Sequence, residues 1–581
     1  MLRLLFTAIL VAPLTVVLCG AEDKVKVWAV PSIQKVRPEA PVEAANLVWD
    51  ARAKTVKVAG ARNEHVPFQL VISTEPPANR YLKPADGFWV EVTELRSSDN
   101  QIPGERVDLF FEHAILCYGK SSPVGDTGFW PDALAPLTEP FGMGAAFRKA
   151  VRNRAIWVDI HVPDSVPAGH YEAKILVSQD GRQLDELQLN LEVYDFSLPE
   201  ETHMLAYIGV SGNWLSPAHS VEPGSKEAQT LLKRYYDFLY SHRMEPWFNR
   251  LLQPEIEVKD GRVELRFDDE LYQRYMVELK TKRVVLEAVP GELTNGQTFG
   301  ELSAEARARV GDYVKQVVAY FTQHNWAERL VLNSPIDEPN TAEHYEETRM
   351  WADIVHDIAP NIPFLVTESP VADRPEWGNL TGHANNFSVH GNRLNDPAVR
   401  RAIDRERGRG GEVTWYISCD QVFPQPNYFI DGPAIDPVMV PWITWRHSMN
   451  GILYWAVNFW MQTPNPWEDP VTYLSGFLCS EGGILNGEGS LLYPGNHVKQ
   501  YTGQQNVEGP VSSIRFELLR EGIEDYEYLW LLKSLGAADL ADRLVSEMVV
   551  DVRAFSRNVP AHFEIRERMA RKIEELIRDN P

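Results

Sequence analysis

Two adjacent acidic residues, Asp337 and Glu338, end a short apolar run in the stretch VLNSPIDEPN and are followed at once by Pro339. A carboxylate can stabilise a polarised group and a carboxylic acid can donate a proton, so such a pair could perform acid–base chemistry. A residue before proline favours extended backbone, in which neighbouring side chains diverge. Asn340 as a helix N-cap, with Glu343 as its capping-box partner, would fix the turn from the other side. We therefore expect two diverging carboxylates on one stiff turn.

Two diverging carboxylates on one turn can reach two atoms of one sugar, as a glycosidase that acts on 2-acetamido sugars requires. In that reaction the acetamido oxygen of the substrate attacks the anomeric carbon. One carboxylate orients the acetamido N–H, and the other residue protonates the departing oxygen. Such substrate-assisted enzymes are exceptions to the widely separated carboxylate pair of most glycosidases. The alternative is structural, because acidic residues are common where a helix begins.

The elements that must position this pair alternate between short apolar runs and amphipathic stretches from residue 199 to 510. Eight runs predict strands: 204–210, 245–248, 283–288, 329–333, 363–367, 387–390, 413–417 and 451–455. Helical spacing separates them, as in ARVGDYVKQVVAYF. Strands that alternate with helices pair in parallel, and eight such units predict a (β/α)8 TIM-barrel catalytic domain. Asp337 and Glu338 follow the fourth strand, at the end where barrel enzymes perform their chemistry.

Further candidates for substrate contact lie near the ends of the predicted strands. Of 17 tryptophans, six fall within residues 415–467, and sugar rings stack well on such faces. Trp415, Trp455 and Trp460 lie nearest to strand ends, although a core role is the alternative for each. The polar candidates are Asn333, Glu368, His390, Tyr416, Arg446 and Asn458. For His390 a structural role, and for Glu368 a loop-capping role, stay open.

Two other regions flank the predicted barrel. Residues 22–198 show period-two patterns, as in HVPFQLVIS, and a hairpin signal at Asp180-Gly181, which predict an antiparallel β-sandwich. Residues 511–581 read as helices that pack on the barrel. The stretch IRFELLREGIEDYEYLWLLKSL opens this C-terminal helical segment, and its Glu521, Glu524 and Asp525 are expected to make helix-surface or interdomain contacts rather than perform catalysis.

Composition limits the partners and the compartment. The formal net charge of −24 disfavours nucleic acid and anionic membranes and favours a neutral substrate. Residues 1–21 resemble a cleaved signal peptide, which predicts a secreted or periplasmic protein, and a lipid anchor at Cys19 is the alternative. No later segment predicts a membrane span. Cys117, Cys419 and Cys479 match no metal motif and are interpreted as small buried residues, and we expect no metal or cofactor.

Several motifs together resemble one family of enzymes. They are the Asp-Glu-Pro after the fourth strand, TWYISCDQVFPQPNYFIDGP, WRHSMNGILYWAVNFW and LREGIEDYEYLWLL, with YDFSLP at the end of the sandwich. The chain resembles the exo-β-N-acetylgalactosaminidases of glycoside hydrolase family 123 and their relatives. That resemblance implies a β-sandwich followed by a (β/α)8 barrel, retention of anomeric configuration and no metal. It also implies that Asp337 orients the 2-acetamido group and that Glu338 is the general acid/base.

The leading hypothesis is therefore hydrolysis of terminal β-linked N-acetylgalactosamine from glycans or glycoconjugates. A second hypothesis keeps the barrel but pairs Glu338 with a distant carboxylate, Glu287 or Glu368, in a glycosidase that acts on another sugar. A third is a secreted carbohydrate-binding protein without catalysis. These patterns do not distinguish galactosamine from glucosamine. They also do not determine the natural aglycone, the endo or exo mode or the oligomeric state.

Overall fold

The structure is a computed structural model that describes residues 25–75, 86–146, 149–150, 152–421, 423–461, 463–473 and 484–579. The predicted signal peptide at 1–21, with Cys19, and the cysteine Cys479 lie outside these described residues.

The N-terminal region is rich in β-structure, as predicted. Its strands are β1 (Lys26–Pro31), β2 (Trp49–Asp50), β3 (Thr55–Arg62), β4 (Glu64–Ser73), β5 (Phe88–Val92), β6 (Leu95–Arg96), β7 (Gln101–Ile102), β8 (Val107–Cys117), β9 (Gly128–Pro136), β10 (Ala145–Ala146), β11 (Lys149–Ala150), β12 (Asn153–Val162), β13 (Gly169–Gln179) and β14 (Arg182–Ser197). One sheet runs β1-β4-β12-β8-β9, and a second runs β2-β3-β14-β13-β6-β7 with β5 also paired to β13. Buried residues of both sheets form one apolar core.

The strand patterns of this region hold in detail. Val66, Phe68, Leu70 and Ile72 of β4 are all buried. The β13–β14 hairpin turns at Asp180 and Gly181, both at positive φ, as a two-residue hairpin turn requires. The pairing of β3 with β14 is parallel, however, so the sheets are not purely antiparallel as predicted. The reason is the chain path, because β14 lies on the far side of the hairpin from β5 and receives β3 along its free edge.

A third sheet, which is parallel, contains all eight predicted strands. The strands from this part of the chain are β15 (Leu205–Ile208), β16 (Glu245–Pro246), β17 (Glu255–Lys259), β18 (Arg262–Arg266), β19 (Val284–Glu287), β20 (Leu330–Asn333), β21 (Phe364–Val366), β22 (Asn386–His390), β23 (Val413–Ile417) and β24 (Gly451–Tyr454). The parallel order is β16-β15-β24-β23-β22-β21-β20-β19, and β17 and β18 form a separate hairpin. This is the strand order of a (β/α)8 barrel, cut between β16 and β19.

The sheet is open at that cut, so the structure does not confirm a closed TIM barrel. Strand β16 has only two residues, and Pro246 has no N–H to donate. The gap is bridged by one backbone bond, from Asn249 N to Val285 O at 3.2 Å, and by the Glu245 carboxylate, which accepts the amide N–H of Lys282 at 2.8 Å. A small apolar cluster on the inner face draws residues from most of the strands, so the open sheet is strongly curved.

Helices connect and cover the parallel strands, and further helices follow the sheet in the C-terminal part of the chain. They are α1 (Gly212–His219), α2 (Lys226–Ser241), α3 (Asp269–Tyr272), α4 (Gly291–Thr294), α5 (Ala304–Gln323), α6 (Ala342–Ile358), α7 (Pro397–Gly408), α8 (Ile435–Arg446), α9 (Val498–Thr502), α10 (Ile514–Ser534), α11 (Ala538–Met548) and α12 (Val559–Asp579). Helix α5 buries Val310, Val314, Val317 and Phe321, the face that its spacing predicts. Within the described part of the chain, no helix is long and apolar enough to cross a bilayer.

The C-terminal part of the chain joins the two sheets. Strands β25 (Val471–Tyr473) and β26 (Leu485–Asn486) pair with each other, whereas β27 (Tyr493–Pro494) and β28 (Pro510–Ser513) extend the first sandwich sheet beyond β9. Helix α10 follows β28 directly and packs against α8, α11 and α12. Residues that follow the parallel sheet in sequence therefore complete the sandwich in space.

Candidate active site

A cavity of about 930 Å³ opens at the carboxyl ends of the parallel strands. Loops that follow seven of the eight strands contribute to it. Its lining includes Ser211, Trp214, Trp247, Phe248, Arg250, Asp337, Glu338, Asn340, Thr367, Glu368, Asp373, Trp377, His390, Arg393, Tyr416, Ser418, Cys419, Asp420, Trp455 and Tyr473. The volume lies near the upper end of the range of about 300–1,000 Å³ that is usual for ligand pockets.

The acidic pair lies in this cavity, on the loop between β20 and α6. Thr367, which follows β21, donates its hydroxyl hydrogen to Asp337 Oδ1 at 2.5 Å. The same Thr367 oxygen accepts the backbone N–H of Glu338 at 3.2 Å. One threonine of the neighbouring strand therefore holds both acidic residues in place.

The backbone of Glu338 is left-handed, with φ +46°, and not extended as we expected from Pro339. The local preference is overridden because Glu338 is held at both ends. Its N–H is bonded to Thr367, and its carboxylate accepts the hydroxyl hydrogen of Tyr416 from β23. A non-glycine residue in this conformation stores about 1–3 kcal/mol of strain, and such residues cluster at functional sites.

The helix after the pair begins one residue later than predicted. The side chain of Thr341, and not that of Asn340, accepts a backbone N–H, from His344 at 3.1 Å, and is the N-cap of α6. Asn340 instead donates its own N–H to His344 Nδ1 at 3.4 Å. Both residues are suitable caps by type, so only the path of the turn could select between them.

Tyr416 donates its hydroxyl hydrogen to Glu338, and its ring is held by a neighbouring aromatic ring. Burial and the nearby charge of Glu338 raise the pKa of Tyr416 far above its ordinary value, so its hydroxyl stays protonated. The His390 ring lies edge-on against the Tyr416 ring, with 4.9 Å between ring centroids. The tyrosine therefore acts as a fixed hydrogen-bond donor towards Glu338.

Glu368 is a third carboxyl group in the cavity, one residue beyond Thr367. Burial, with a contribution from the charge of Glu338, raises its pKa to about 7 despite the hydrogen bond from Ser369 N at 2.6 Å and the charge of Arg393. Glu368 therefore carries a proton through the mildly acidic range. Arg393 itself is paired with Asp373, another residue of the cavity wall.

His390 lies at the end of β22 and holds the loop after β23. Its Nε2 is 2.9 Å from Asp420 Oδ1 and 3.2 Å from Ser418 Oγ. Burial opposes ionisation of Asp420, but the hydrogen bond and charge of His390, with the Ser418 hydroxyl, hold the pKa of Asp420 below its usual value. His390 thus lines the cavity, and its Nε2 is bound to Asp420 and Ser418.

Aromatic residues form the wall at β15 and β24, which are neighbours in the sheet. Trp455, after β24, is T-shaped to Trp214 at 6.2 Å and to Phe459 at 4.8 Å between ring centroids. Tyr473 stacks on Phe459 at 5.5 Å. Trp214, Trp455 and Tyr473, the aromatic wall, all line the cavity.

Of the residues proposed from sequence, Asp337, Glu338, Glu368, His390, Tyr416 and Trp455 line the cavity. Two others lie just behind the lining. Asn333 is buried and donates to Ser334 O at 2.7 Å. Asn458 is fully buried and exchanges two 3.0 Å hydrogen bonds with the backbone of Ser211, so it shapes the loop after β15.

Three proposed substrate contacts are corrected by their positions. Trp415 is fully buried, because alternation along β23 turns it to the outer face, where its indole donates to Thr444 of α8. Trp460 is buried against His219 and Tyr235, and its indole donates to Ser490 Oγ. Arg446 is exposed in the last turn of α8, which leads into the amino end of β24, away from the carboxyl ends.

The cavity also contains residues that the sequence patterns did not single out. Thr367 is the last residue of the predicted strand 363–367, and Ser418 and Asp420 follow the predicted strand 413–417, so their positions at strand ends were the available signal. Trp214 and Trp377 lie in short helices, where the spacing carries no sign of their direction. Trp247 belongs to the predicted strand 245–248 but follows the two-residue β16 in the structure.

The cysteines differ from the expectation in one respect. Cys117 is free and buried, as expected, but Cys419, which lines the cavity, is disulfide-bonded. Sequence spacing does not reveal which cysteines meet in space. In the described residues, no group of three or more His, Cys, Asp or Glu side chains is arranged to hold a metal ion.

Comparisons place this geometry among known proteins. The family model described as glycoside hydrolase 123, catalytic domain, matches residues 295–532. The chain is similar to a solved family 123 glycoside hydrolase from Clostridium perfringens, described for glycolipid glycan hydrolysis, with 13% identity, a TM-score of 0.65 and coverage of 96% of this chain and 97% of that one. A family 39 glycoside hydrolase from Bacteroides cellulosilyticus gives a TM-score of 0.30 at 10% identity over 72% of this chain and 77% of that one. No curated protein matches the chain.

Proposed function

We propose that this chain, a glycoside hydrolase whose residues 295–532 match the catalytic-domain model of glycoside hydrolase family 123, removes terminal β-linked N-acetylgalactosamine from glycans or glycoconjugates. The proposed reaction retains the anomeric configuration and uses the 2-acetamido group of the substrate as the nucleophile. The description of the Clostridium perfringens neighbour, glycolipid glycan hydrolysis, supports a glycan substrate.

The observation that carries the proposal is the different setting of the two adjacent carboxylates. Asp337 accepts a hydrogen bond from Thr367 at the end of β21, and Glu338 accepts one from Tyr416 of β23, three strands away from β20 in the sheet. The two carboxylates are bound by residues at the ends of different strands, β21 and β23, so each can contact a different atom of one bound sugar.

In the proposed mechanism Asp337 acts as a hydrogen-bond acceptor. Its carboxylate would accept the acetamido N–H, which makes the acetamido oxygen a better nucleophile towards the anomeric carbon. That oxygen forms a bond to the anomeric carbon as the bond to the leaving oxygen breaks. Asp337 would then stabilise the positive charge of the cyclic oxazolinium intermediate, while Thr367 fixes the direction of its carboxylate.

Glu338 would supply the proton to the leaving oxygen and later remove a proton from the attacking water, as a general acid/base. Tyr416 positions this carboxyl group by its hydrogen bond. The aromatic wall provides the apolar surface on which the sugar ring stacks. We further propose that the curved parallel sheet is the (β/α)8 barrel of the catalytic domain.

We also propose that residues 1–21 are removed and that the enzyme works outside the cytoplasm.

The experiment is a panel of chromogenic β-glycosides with and without the 2-acetamido group, in both C4 epimers. We expect hydrolysis to depend on the acetamido group and to favour the galacto epimer. Glu338→Gln should lower kcat/KM by about 10²- to 10⁴-fold, with smaller losses for highly activated leaving groups. Asp337→Asn should impair all substrates alike. Glu343→Gln, on the exposed first turn of α6, is the matched control and should leave the rates unchanged.

Equal hydrolysis of a 2-hydroxy glycoside would contradict the proposal. It would favour a second mechanism, in which Glu368 is the acid and Glu338 attacks the sugar. One observation supports that candidate, since the pKa of Glu368 is raised to about 7 and the group is protonated below that pH. In that case Glu368→Gln should abolish turnover, and wild-type kcat/KM should fall as the pH rises through about 7. Under the leading proposal Glu368→Gln should retain activity within about tenfold.

A further inference from the structure

We propose that Glu488 is a positioning residue for substrate binding, which holds the indole of Trp455 in the direction that makes it the wall of the sugar site. The inference rests on the proposed function, because it assigns Trp455 to the binding of the sugar. Glu488 does not line the cavity and does not touch the reacting atoms; it acts through the tryptophan.

The contact between the two residues is direct. Trp455 Nε1 donates to Glu488 Oε1 at 2.8 Å. Tyr454, the last residue of β24, directs its hydroxyl towards the same Glu488 oxygen at 3.4 Å. The ring that faces the cavity and the strand residue beside it are therefore bound to one carboxyl group, and the rotation of the indole about its side-chain bonds is restricted.

The turn that carries Glu488 is shaped to fit against this indole. Gly489 has φ +69°, and a Cβ on it would lie 2.4 Å from Trp455 Cζ2, closer than any side chain permits. The Gly489 N–H donates to the Tyr454 hydroxyl at 2.7 Å. The backbone therefore packs on the indole from behind, and no other residue type would allow this distance.

Buried Arg515 of α10 anchors the same turn. Its guanidinium donates to Gly487 O at 2.8 Å and to Ser490 O at 2.7 Å, on the two sides of Glu488. It also forms an ion pair with Asp132 of β9 at 2.7 Å. The support of Trp455 thus extends from the sandwich through α10 to the cavity.

The carboxyl group of Glu488 is buried and incompletely hydrogen-bonded. Glu488 is fully buried, and its Oε2 has no hydrogen-bond partner in the described part of the chain. Burial raises its pKa to about 7, although the hydrogen bonds from Trp455 and Tyr454 oppose this. A buried carboxyl group that is only half satisfied destabilises a fold, and an apolar residue of the same size would be more stable there. A glutamate at this position is explained if the indole N–H needs an acceptor.

The test compares Glu488→Leu, Glu488→Gln, Trp455→Phe and the double variant Glu488→Leu/Trp455→Phe on the 2-acetamido glycoside that the wild type hydrolyses. We expect Glu488→Leu and Trp455→Phe each to raise KM by about tenfold with kcat within about threefold, because uniform binding is lost. The double variant should match the single ones, since both remove the same contact. Glu488→Gln, whose amide oxygen can still accept the indole N–H, should keep KM within about twofold.

The matched control is Glu112→Leu. Glu112 is a buried glutamate of β8 with the pKa raised to about 8 by burial; it does not line the cavity, and its replacement should not change KM. An unchanged KM in Glu488→Leu, or additive effects in the double variant, would overturn the positioning role of Glu488 and leave the proposed function intact. A wild type that hydrolyses no 2-acetamido glycoside would instead overturn the proposed function and the inference with it.

Discussion

At the scale of single residues, the candidate site depends on side chains that bind two neighbouring acidic residues separately. Glu338 has a backbone conformation that its own type and the following proline both disfavour. Thr367 and Tyr416, from the ends of two other strands, provide the hydrogen bonds that compensate for this strain. The geometry of the pair is therefore a property of three segments and not of the Asp-Glu-Pro motif alone.

Replacement of Thr367 by valine tests this dependence. The change removes the donor to Asp337 and the acceptor for Glu338 N–H while it keeps the side-chain shape. We expect kcat/KM on 2-acetamido glycosides to fall by about 10- to 100-fold, and the free energy of unfolding to fall by about 1–3 kcal/mol. Steady-state kinetics and denaturant unfolding measure the two effects.

The control for this variant is Thr348→Val. Thr348 is fully buried in α6, and its hydroxyl donates to His344 O at 2.7 Å. The Thr348→Val variant should show a similar decrease in the free energy of unfolding and an unchanged kcat/KM. Equal kinetic losses in both variants would show that Thr367 acts through stability and not through the acidic pair.

At the scale of elements, the short strands of the parallel sheet place their carboxyl ends on one side, and a turn outside the sheet completes the site. The turn between β26 and β27 packs behind Trp455 and is formed by glycines at positive φ, at 487 and 489. Close approach of its backbone to the indole requires the absence of a side chain at the second glycine.

Gly489→Ala should therefore affect binding as well as stability. The positive φ alone disfavours alanine by about 1 kcal/mol, and the added Cβ must also displace the Trp455 ring. We expect KM to rise several-fold and the melting temperature to fall. Gly261→Ala, in the exposed β17–β18 hairpin, is the control, because Gly261 has φ +79° with open space around its Cβ position. It should lose stability without any change in KM, and a similar KM change in both variants would contradict the assigned contact.

At the scale of the whole molecule, α10 and β28 join the sandwich to the parallel sheet. The acidic residues of α10 contact both other regions of the chain: Glu524 pairs with Arg243 at 3.5 Å, Glu521 accepts the Ser32 hydroxyl hydrogen at 3.0 Å, and Asp525 accepts the Trp442 indole N–H at 3.0 Å. Arg520 of the same helix pairs with Asp159 of β12 at 2.7 Å. These buried charges are satisfied only when both regions are assembled, so the regions should unfold together.

Arg515→Met should show this coupling. Loss of one partner of a buried ion pair leaves Asp132 uncompensated and costs about 3–5 kcal/mol. We expect a single unfolding transition in calorimetry for the wild type and a large decrease in its midpoint in the variant. Lys54→Met, which breaks the exposed Lys54–Asp185 pair within the sandwich, should change stability by less than about 1 kcal/mol. Two separate transitions in the wild type would contradict the coupling.

Much of this architecture was predictable, because hydrophobic periodicity is local. All eight parallel strands, the hairpin at Asp180-Gly181 and the buried face of α5 follow from spacing that any short segment displays. The rule that carboxyl ends of parallel strands gather at one edge placed Asp337, Glu338, Glu368, His390, Tyr416 and Trp455 in one cavity. Trp415 was misassigned for the opposite reason, because a strand buried on both faces gives no sign of which face is inner.

The sequence by itself determined the alternation of strands with helices, the residue types at the strand ends and the acidic pair, since these depend on residues close together in the chain. Only the tertiary structure decided the direction of each side chain at the site. The left-handed Glu338, the support of Trp455 by Glu488 and the opening of the sheet between β16 and β19 arise from contacts between residues far apart in sequence. Such contacts outweigh local preference because their combined energies exceed the few kcal/mol that separate backbone conformations.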